Sequence, residues 1–155
     1  MAMSDRGPAP KIRVLFLCIR NSARSQMAEA FLRSYAGDRY EAYSAGVSPG
    51  EIHPLTRKVM SEVGIDISGQ HSKSLREYMG RIHFGWLITV CSQAEKECPT
   101  SFPGIARRAA WEFEDPAAFV GTDEEKLAKF REVRDRIEQK VKDWVNAQAK
   151  EQSRA

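Results

Sequence analysis

Residues 12–29 read IRVLFLCIRNSARSQMAE. The run Val14, Leu15, Phe16, Leu17 is apolar and in part β-branched, as in a parallel strand buried on both faces. It stops at Cys18, and a short polar loop follows, Cys18-Ile19-Arg20-Asn21-Ser22-Ala23-Arg24-Ser25, a C-x5-R-S pattern. Helical spacing then begins. Ala23, Met27, Ala30 and Phe31 fall on one stripe, and Gly37 stands where a left-handed stop would close a helix over residues 22–36. A thiol is thus expected at a strand end, on a loop feeding a helix, where loop amides and the positive helix end converge into an anion site. That field favours thiolate over thiol and makes Cys18 a candidate nucleophile. Arg24 can fork onto two oxygens of a tetrahedral oxyanion, and Ser25 can donate its hydroxyl hydrogen to the sulfur. A cysteine at a strand end is more often a small buried apolar side chain. The polar loop and Arg24 weigh against that reading here.

Outward from this stretch, the chain alternates strands and helices. Tyr40 to Ala45 reads as a second strand. Pro54 suits the first turn of a helix whose buried face is Leu55, Val59, Met60 and Val63, with Gly64 as its stop. Ser72 is expected to cap a short helix over residues 73–79. Trp86 to Val90 is a third apolar run, ending at Cys91, and Arg108 to Phe113 reads as a short fourth strand. Thr122 opens the longest helix, with Leu127, Phe130, Val133, Ile137, Val141 and Trp144 as its apolar stripe and pairs such as Glu125–Lys129 and Glu138–Lys142 on its solvated face. The pattern predicts one α/β domain over residues 11–147, an open, mostly parallel sheet flanked by helices, between a flexible leader (1–10) and a frayed tail (148–155). Ligands of such sheets sit beyond the carboxyl ends of the strands, which places Cys18, Cys91 and Asp115 on one edge.

Composition narrows the function classes. The 155 residues suit one domain with a real core, and 24 basic against 21 acidic residues give a net charge of +3, too balanced for a nucleic-acid binder. No apolar window reaches membrane-spanning length, and the first ten residues lack the apolar core of a secretory signal. Three cysteines do not make a disulfide framework, so a reducing cytoplasm is the expected home. The C-x6-C spacing of Cys91 and Cys98, with three scattered histidines, is wrong for a structural zinc, and no metal site is expected. If residues 92–97 form a helical turn or two, the two thiols start too far apart to bond, and a disulfide needs that polar segment to rearrange. Asp115-Pro116 is a commonplace turn taken alone. Beside a C-x5-R-S loop, its carboxyl becomes a candidate proton donor to a departing oxygen. His53, His71 and His83 offer neither ligand spacing nor an obvious base and read as loop residues.

Taken together, CIRNSARSQMAEAF, YSAG, GIDIS, ITVCSQAEKECP and WEFEDP resemble the thioredoxin-coupled arsenate reductases, which share the fold of low-molecular-weight protein tyrosine phosphatases. The similarity runs from about Lys11 to Val145, and the C-x6-C pair is its specific part. The resemblance implies a four-stranded parallel sheet and arsenate held by residues 19–25 (Ile19, Arg20, Asn21, Ser22, Ala23, Arg24, Ser25). It also implies a relay in which Cys18 attacks arsenate, Asp115 protonates the leaving oxygen, Cys91 attacks Cys18 and Cys98 attacks Cys91. No bound cofactor is implied: thioredoxin restores the thiols and the protein is a monomer. Some members bind potassium, and Asn21, Glu29, Ser44 and Asp66 are read as its matching positions. Ile19-Arg20 departs from a small Thr-Gly pair common in this loop, adding bulk and charge, and Ala23 replaces a cysteine found in some relatives. The competing readings are a tyrosine phosphatase, which leaves Cys91 and Cys98 unexplained, a reductase fed by glutaredoxin or mycothiol, and a non-catalytic oxyanion sensor.

Overall fold

A computed structural model describes residues 10–98 and 103–154, so the predicted leader, apart from Pro10, lies outside the described residues. Four parallel strands form one sheet in the order β2-β1-β3-β4: β1 Ile12–Cys18, β2 Tyr40–Gly46, β3 Phe84–Thr89 and β4 Ile105–Ala110. Strand β1 lies inside the sheet, and Val14 to Cys18 are buried, as a strand covered on both faces requires. Helices α1 Arg24–Ala36, α2 Pro54–Glu62, α3 Ser92–Glu97 and α4 Asp123–Arg154 flank the sheet.

Helix α1 is buried on every side from Ser25 to Leu32, so its expected apolar stripe is right but its polar residues are inside too. Gly37 closes it at φ −63°, not in the left-handed region. Gly64 does end α2 left-handed, at φ 80°, with Ile65 N donating to Met60 O at 3.0 Å. On α2, Val59 and Met60 are buried as expected. Val63 is exposed, and Thr56 takes the inward position, donating its hydroxyl to Ser22 O at 3.0 Å.

Three expectations shift. The segment after Ser72 is only a 310 turn, Leu75–Glu77, capped by Ser74 through a reciprocal box with Glu77. Strand β4 begins three residues before the sequence suggested, because Arg107 and Arg108 lie within an exposed edge strand where no apolar pattern is needed. Helix α4 runs to Arg154, across most of the segment expected as a tail. Its stripe packs as expected: Phe130, Val133, Ile137, Val141 and Trp144 are buried, with Leu127 half-buried. Of the two expected surface pairs, Glu138–Lys142 forms at 3.6 Å. Glu125 instead caps α4 by accepting from Thr122 N at 2.9 Å, and Lys129 turns to Glu114 and Glu132. Among the described residues no helix is long and apolar enough to cross a membrane.

Candidate active site

The loop between β1 and α1 is held open from outside by its carbonyls. Cys18 O accepts from Val47 N at 3.1 Å, Ile19 O from Ser48 N at 2.8 Å and Arg20 O from Gly50 N at 3.0 Å. Asn21 O accepts from Gln26 Nε2 at 3.1 Å, Ser22 O from His53 N at 3.1 Å and Ala23 O from Met27 N at 2.9 Å. In a planar trans peptide the N–H points opposite the C=O, so outward carbonyls turn the loop's N–H groups inward. Gly46, paired with Cys18 across the β1–β2 ladder, lets the loop approach this closely: a Cβ there would stand 2.7 Å from Ile19 O. Asn21 adopts φ 53°, a left-handed conformation that asparagine tolerates better than branched residues. Its N–H donates to Cys18 Sγ at 3.1 Å.

Beneath the sulfur runs a buried polar chain. Ser25 Oγ lies 2.9 Å from Cys18 Sγ and accepts from Asn21 Nδ2 at 2.8 Å, which leaves the hydroxyl hydrogen for the sulfur. Asn21 Oδ1 accepts from Gln26 Nε2 at 2.8 Å and from Lys73 N at 3.1 Å. Two donors therefore meet at Cys18 and stabilise negative charge there.

Above the sulfur, Cys18, Arg20, Ser22, Ala23 and Arg24 line a cavity of about 410 Å³ closed by residues 50–54, Asp115 and Ala117. Arg24 Nη1 donates to Phe113 O at 3.2 Å, and Arg24 Nη2 stands 3.8 Å from Asp115 Oδ2. The other Asp115 oxygen accepts from Ala117 N at 3.0 Å, fixing the carboxyl at the cavity wall. The seven expected loop residues after Cys18 divide in three: Arg20, Ser22, Ala23 and Arg24 face the cavity, Asn21 and Ser25 form its floor, and Ile19 turns away. The side chain of Ile19 packs on the core.

His53 belongs to this cavity, which the sequence did not reveal. Its Nδ1 accepts from Leu55 N at 3.1 Å, capping α2, and its ring lies 4.7 Å from that of Phe130. Burial pushes its pKa down, against the pull of the Asp115 carboxylate, so the imidazole is neutral where it caps. The signal was the His-Pro pair at a helix start, read only for its proline.

All three cysteines are buried, and none of them is in a disulfide. Leu17 pairs with Thr89 across the β1–β3 ladder, so Cys18 and Cys91 stand one and two residues past paired positions on neighbouring strands. Cys91 lines a second cavity that shares Arg24 and Asp115 with the first, and its Sγ accepts from Ala94 N at 3.4 Å, capping α3. Cys98 sits at the other end of α3. Seven helical steps of about 1.5 Å put their Cα atoms on the order of 10 Å apart, beyond the roughly 4.4–6.8 Å a disulfide needs. Burial pushes the Cys98 thiol up, and the Arg108 guanidinium opposes this.

Of the four residues read for potassium, Glu29 and Asp66 border one open cavity of about 390 Å³ together with His71 and Lys73, while Asn21 and Ser44 do not line it. Glu29 and Ser44 are buried and joined at 2.5 Å, and Asn21 is bonded as above. The Lys73 ammonium lies 3.7 Å from Glu29 Oε1 and 3.4 Å from Ser44 Oγ. Burial lowers its pKa, and Glu29 opposes that. Asp66 is exposed, both its oxygens engaged by Ser68 at 2.9 and 3.1 Å.

Comparison with known proteins agrees with this geometry. Residues 13–154 match the model of the low molecular weight phosphotyrosine protein phosphatases. An arsenate reductase of Halalkalibacterium halodurans is 43% identical over 133 residues, which is 85% of this chain and 94% of that protein. A solved arsenate reductase in its phosphate-binding state superposes with TM-score 0.74 at 31% identity, covering 88% of this chain and 98% of the other. The thioredoxin-dependent arsenate reductase of Corynebacterium glutamicum gives TM-score 0.68 at 31% identity, covering 94% of this chain and 65% of that one. The fold, the Cys18 loop and a match over nearly its whole length make the chain a member of the low molecular weight phosphotyrosine protein phosphatase family.

Proposed function

We propose that the protein reduces arsenate to arsenite through Cys18, Cys91 and Cys98, with a thioredoxin dithiol restoring the thiols in a reducing cytoplasm. The observation that carries this reading is the wall of Arg24 and Asp115 shared by the cavities of Cys18 and Cys91, with a third thiol at the far end of the intervening helix.

Arsenate sits on the inward loop amides and the Arg24 fork. Cys18 Sγ bonds to arsenic, one As–O bond breaks, and the oxygen leaves as water with a proton from Asp115. Cys91 Sγ then attacks Cys18 Sγ. An S–S bond forms, the S–As bond breaks, and its electron pair stays on arsenic, which leaves as arsenite. As α3 unwinds, Cys98 attacks Cys91 Sγ and displaces the Cys18 thiolate. The thioredoxin dithiol reduces the Cys91–Cys98 disulfide and is itself oxidised. The name of the Corynebacterium relative supports thioredoxin as the reductant. Among the described residues no phenylalanine, tyrosine or tryptophan lines the Cys18 cavity, which counts against an aryl phosphate as its main substrate.

The test is arsenate-dependent NADPH oxidation with thioredoxin and thioredoxin reductase, in wild type and in Cys18→Ser, Cys91→Ser and Cys98→Ser. Turnover in wild type, lost in all three variants, is the expected result. Turnover that persists in Cys98→Ser, or that needs glutaredoxin or mycothiol, removes the last step as written. Brisk phosphomonoester hydrolysis without arsenate turnover assigns the site to phosphatase chemistry.

A further inference from the structure

We infer that Lys73 is a built-in monovalent cation that braces the Cys18 loop and takes the place of any bound potassium. The residues read for potassium do not fit that ion. A cation held by Glu29 and Ser44 together would need the space where the Lys73 ammonium already stands, within 3.4–3.7 Å of both and donating to His71 O at 3.0 Å. The fourth position, Asp66, borders the cavity that Glu29, His71 and Lys73 also line, but both its carboxylate oxygens are engaged by Ser68.

Charge leads to the same conclusion. Glu29 is a carboxylate with a side chain 6% exposed, and it is already paired with Lys73 and with Arg33, so the cluster offers no uncompensated negative charge to a second cation. A potassium ion placed there would face an ammonium and a guanidinium at close range.

The lysine also reaches the reacting atom by a continuous path. Its backbone N–H donates to Asn21 Oδ1, and its carbonyl accepts from Gly46 N at 2.8 Å, on the strand position that lets the loop close in. Asn21 in turn donates to Ser25, and Ser25 reaches Cys18 Sγ. His71 O, which accepts the ammonium, also accepts from Gln26 Nε2, the group that holds Asn21 O and Oδ1. Lys73 is therefore a positioning residue: it orders the floor of the oxyanion loop and touches no substrate. This holds whether the chemistry at Cys18 is arsenate reduction or phosphate-ester hydrolysis.

The experiment reads oxyanion binding, not turnover, so it stays separate from the reductase assignment. Inorganic phosphate affinity and thermal midpoint are measured in KCl, NaCl and choline chloride at equal ionic strength, for wild type, Lys73→Asp and Lys73→Met. Wild type is expected to bind and melt alike in all three salts. Lys73→Asp and Lys73→Met are expected to bind phosphate about tenfold more weakly in choline chloride. Potassium restores Lys73→Asp to within about twofold and raises its midpoint by about 4 °C, because the new carboxylate and Glu29 then form a cation site. A potassium-specific gain in wild type overturns the inference. So does a Lys73→Met protein that folds and binds phosphate as wild type does in choline. If neither variant folds, the wild-type salt comparison still decides.

Discussion

The Cys18 sulfur and the Ser25 hydroxyl lie 2.9 Å apart, and the hydroxyl is turned toward the sulfur because Asn21 Nδ2 occupies its other side. The nucleophile is thus oriented by the first turn of the helix that carries the core. Ser25→Ala removes a donor from a charged acceptor and leaves Asn21 Nδ2 without its partner. Single-turnover reaction with arsenate should slow on the order of 10- to 100-fold, and stability should fall by about 1–3 kcal/mol. Rapid-quench kinetics and denaturant unfolding measure the two separately.

Gly46→Ala tests the loop from the outside. Its methyl group would meet Ile19 O at 2.7 Å and two further backbone atoms at 3.0 Å, none of which is the free end of a side chain. The expected result is a loss of about 1–3 kcal/mol of stability together with weakened phosphate binding, read by calorimetry. Wild-type affinity in this variant would mean that the loop can shift without cost.

For Cys98 the sign follows from burial. Its thiol is held above the ordinary range, so the buried neutral form stabilises α3 at low pH, and that stabilisation fades as pH rises through the raised value. The attacking species is the thiolate. Closure of the Cys91–Cys98 disulfide should therefore accelerate with pH up to and beyond the usual thiol range. Arg108→Gln removes the opposing charge and should move that profile further up. Thiol counting after timed diamide oxidation measures it.

Glu62 joins α2 to α4 by accepting from Arg131 and Arg134, and these bonds hold its pKa down to about 2. Its stabilising effect is present above the ordinary carboxylate range and is lost as pH falls toward about 2. Glu62→Gln should melt lower than wild type at neutral pH, with the gap closing on acidification. A gap independent of pH would refute the ionic origin.

Phosphate and arsenate share shape and charge, so slow aryl phosphate hydrolysis is expected. It should vanish in Cys18→Ser and survive in Cys91→Ser and Cys98→Ser, because a phosphoenzyme is resolved by water without a second thiol. Steady-state release of nitrophenol checks this.

The core of the site was legible because its chemistry is local. An apolar run, a cysteine and a polar loop followed by helical spacing place Cys18, Arg24 and Ser25 within one strand–loop–helix unit. Asp115 and Cys91 could be put on the same edge because parallel strands share a carboxyl end. Lys73 and His53 were not legible: each acts by a contact across elements, and a buried lysine looks in sequence like any surface lysine. Strand β4 is poorly marked in the sequence because an edge strand carries no two-faced apolar pattern, while Trp111 and Phe113 just beyond it supply apolar residues that suggest a strand farther downstream. Ser74 and Glu77 carry the Ser-x-x-Glu spacing of a capping box, whereas Ser72 has Leu75 at the corresponding position and no acidic partner.

The polar chain of Asn21, Ser25, Gln26 and Glu29 lies wholly inside the protein, continuous with Met27 and Phe31. The active-site floor and the hydrophobic core are therefore one construction, and an attempt to retune the enzyme by editing the floor would also weaken the fold. Adaptation to a different oxyanion or ester has its freedom at the rim, at Arg20, Glu51 and Ala117, where side chains border the cavity without bearing on the core.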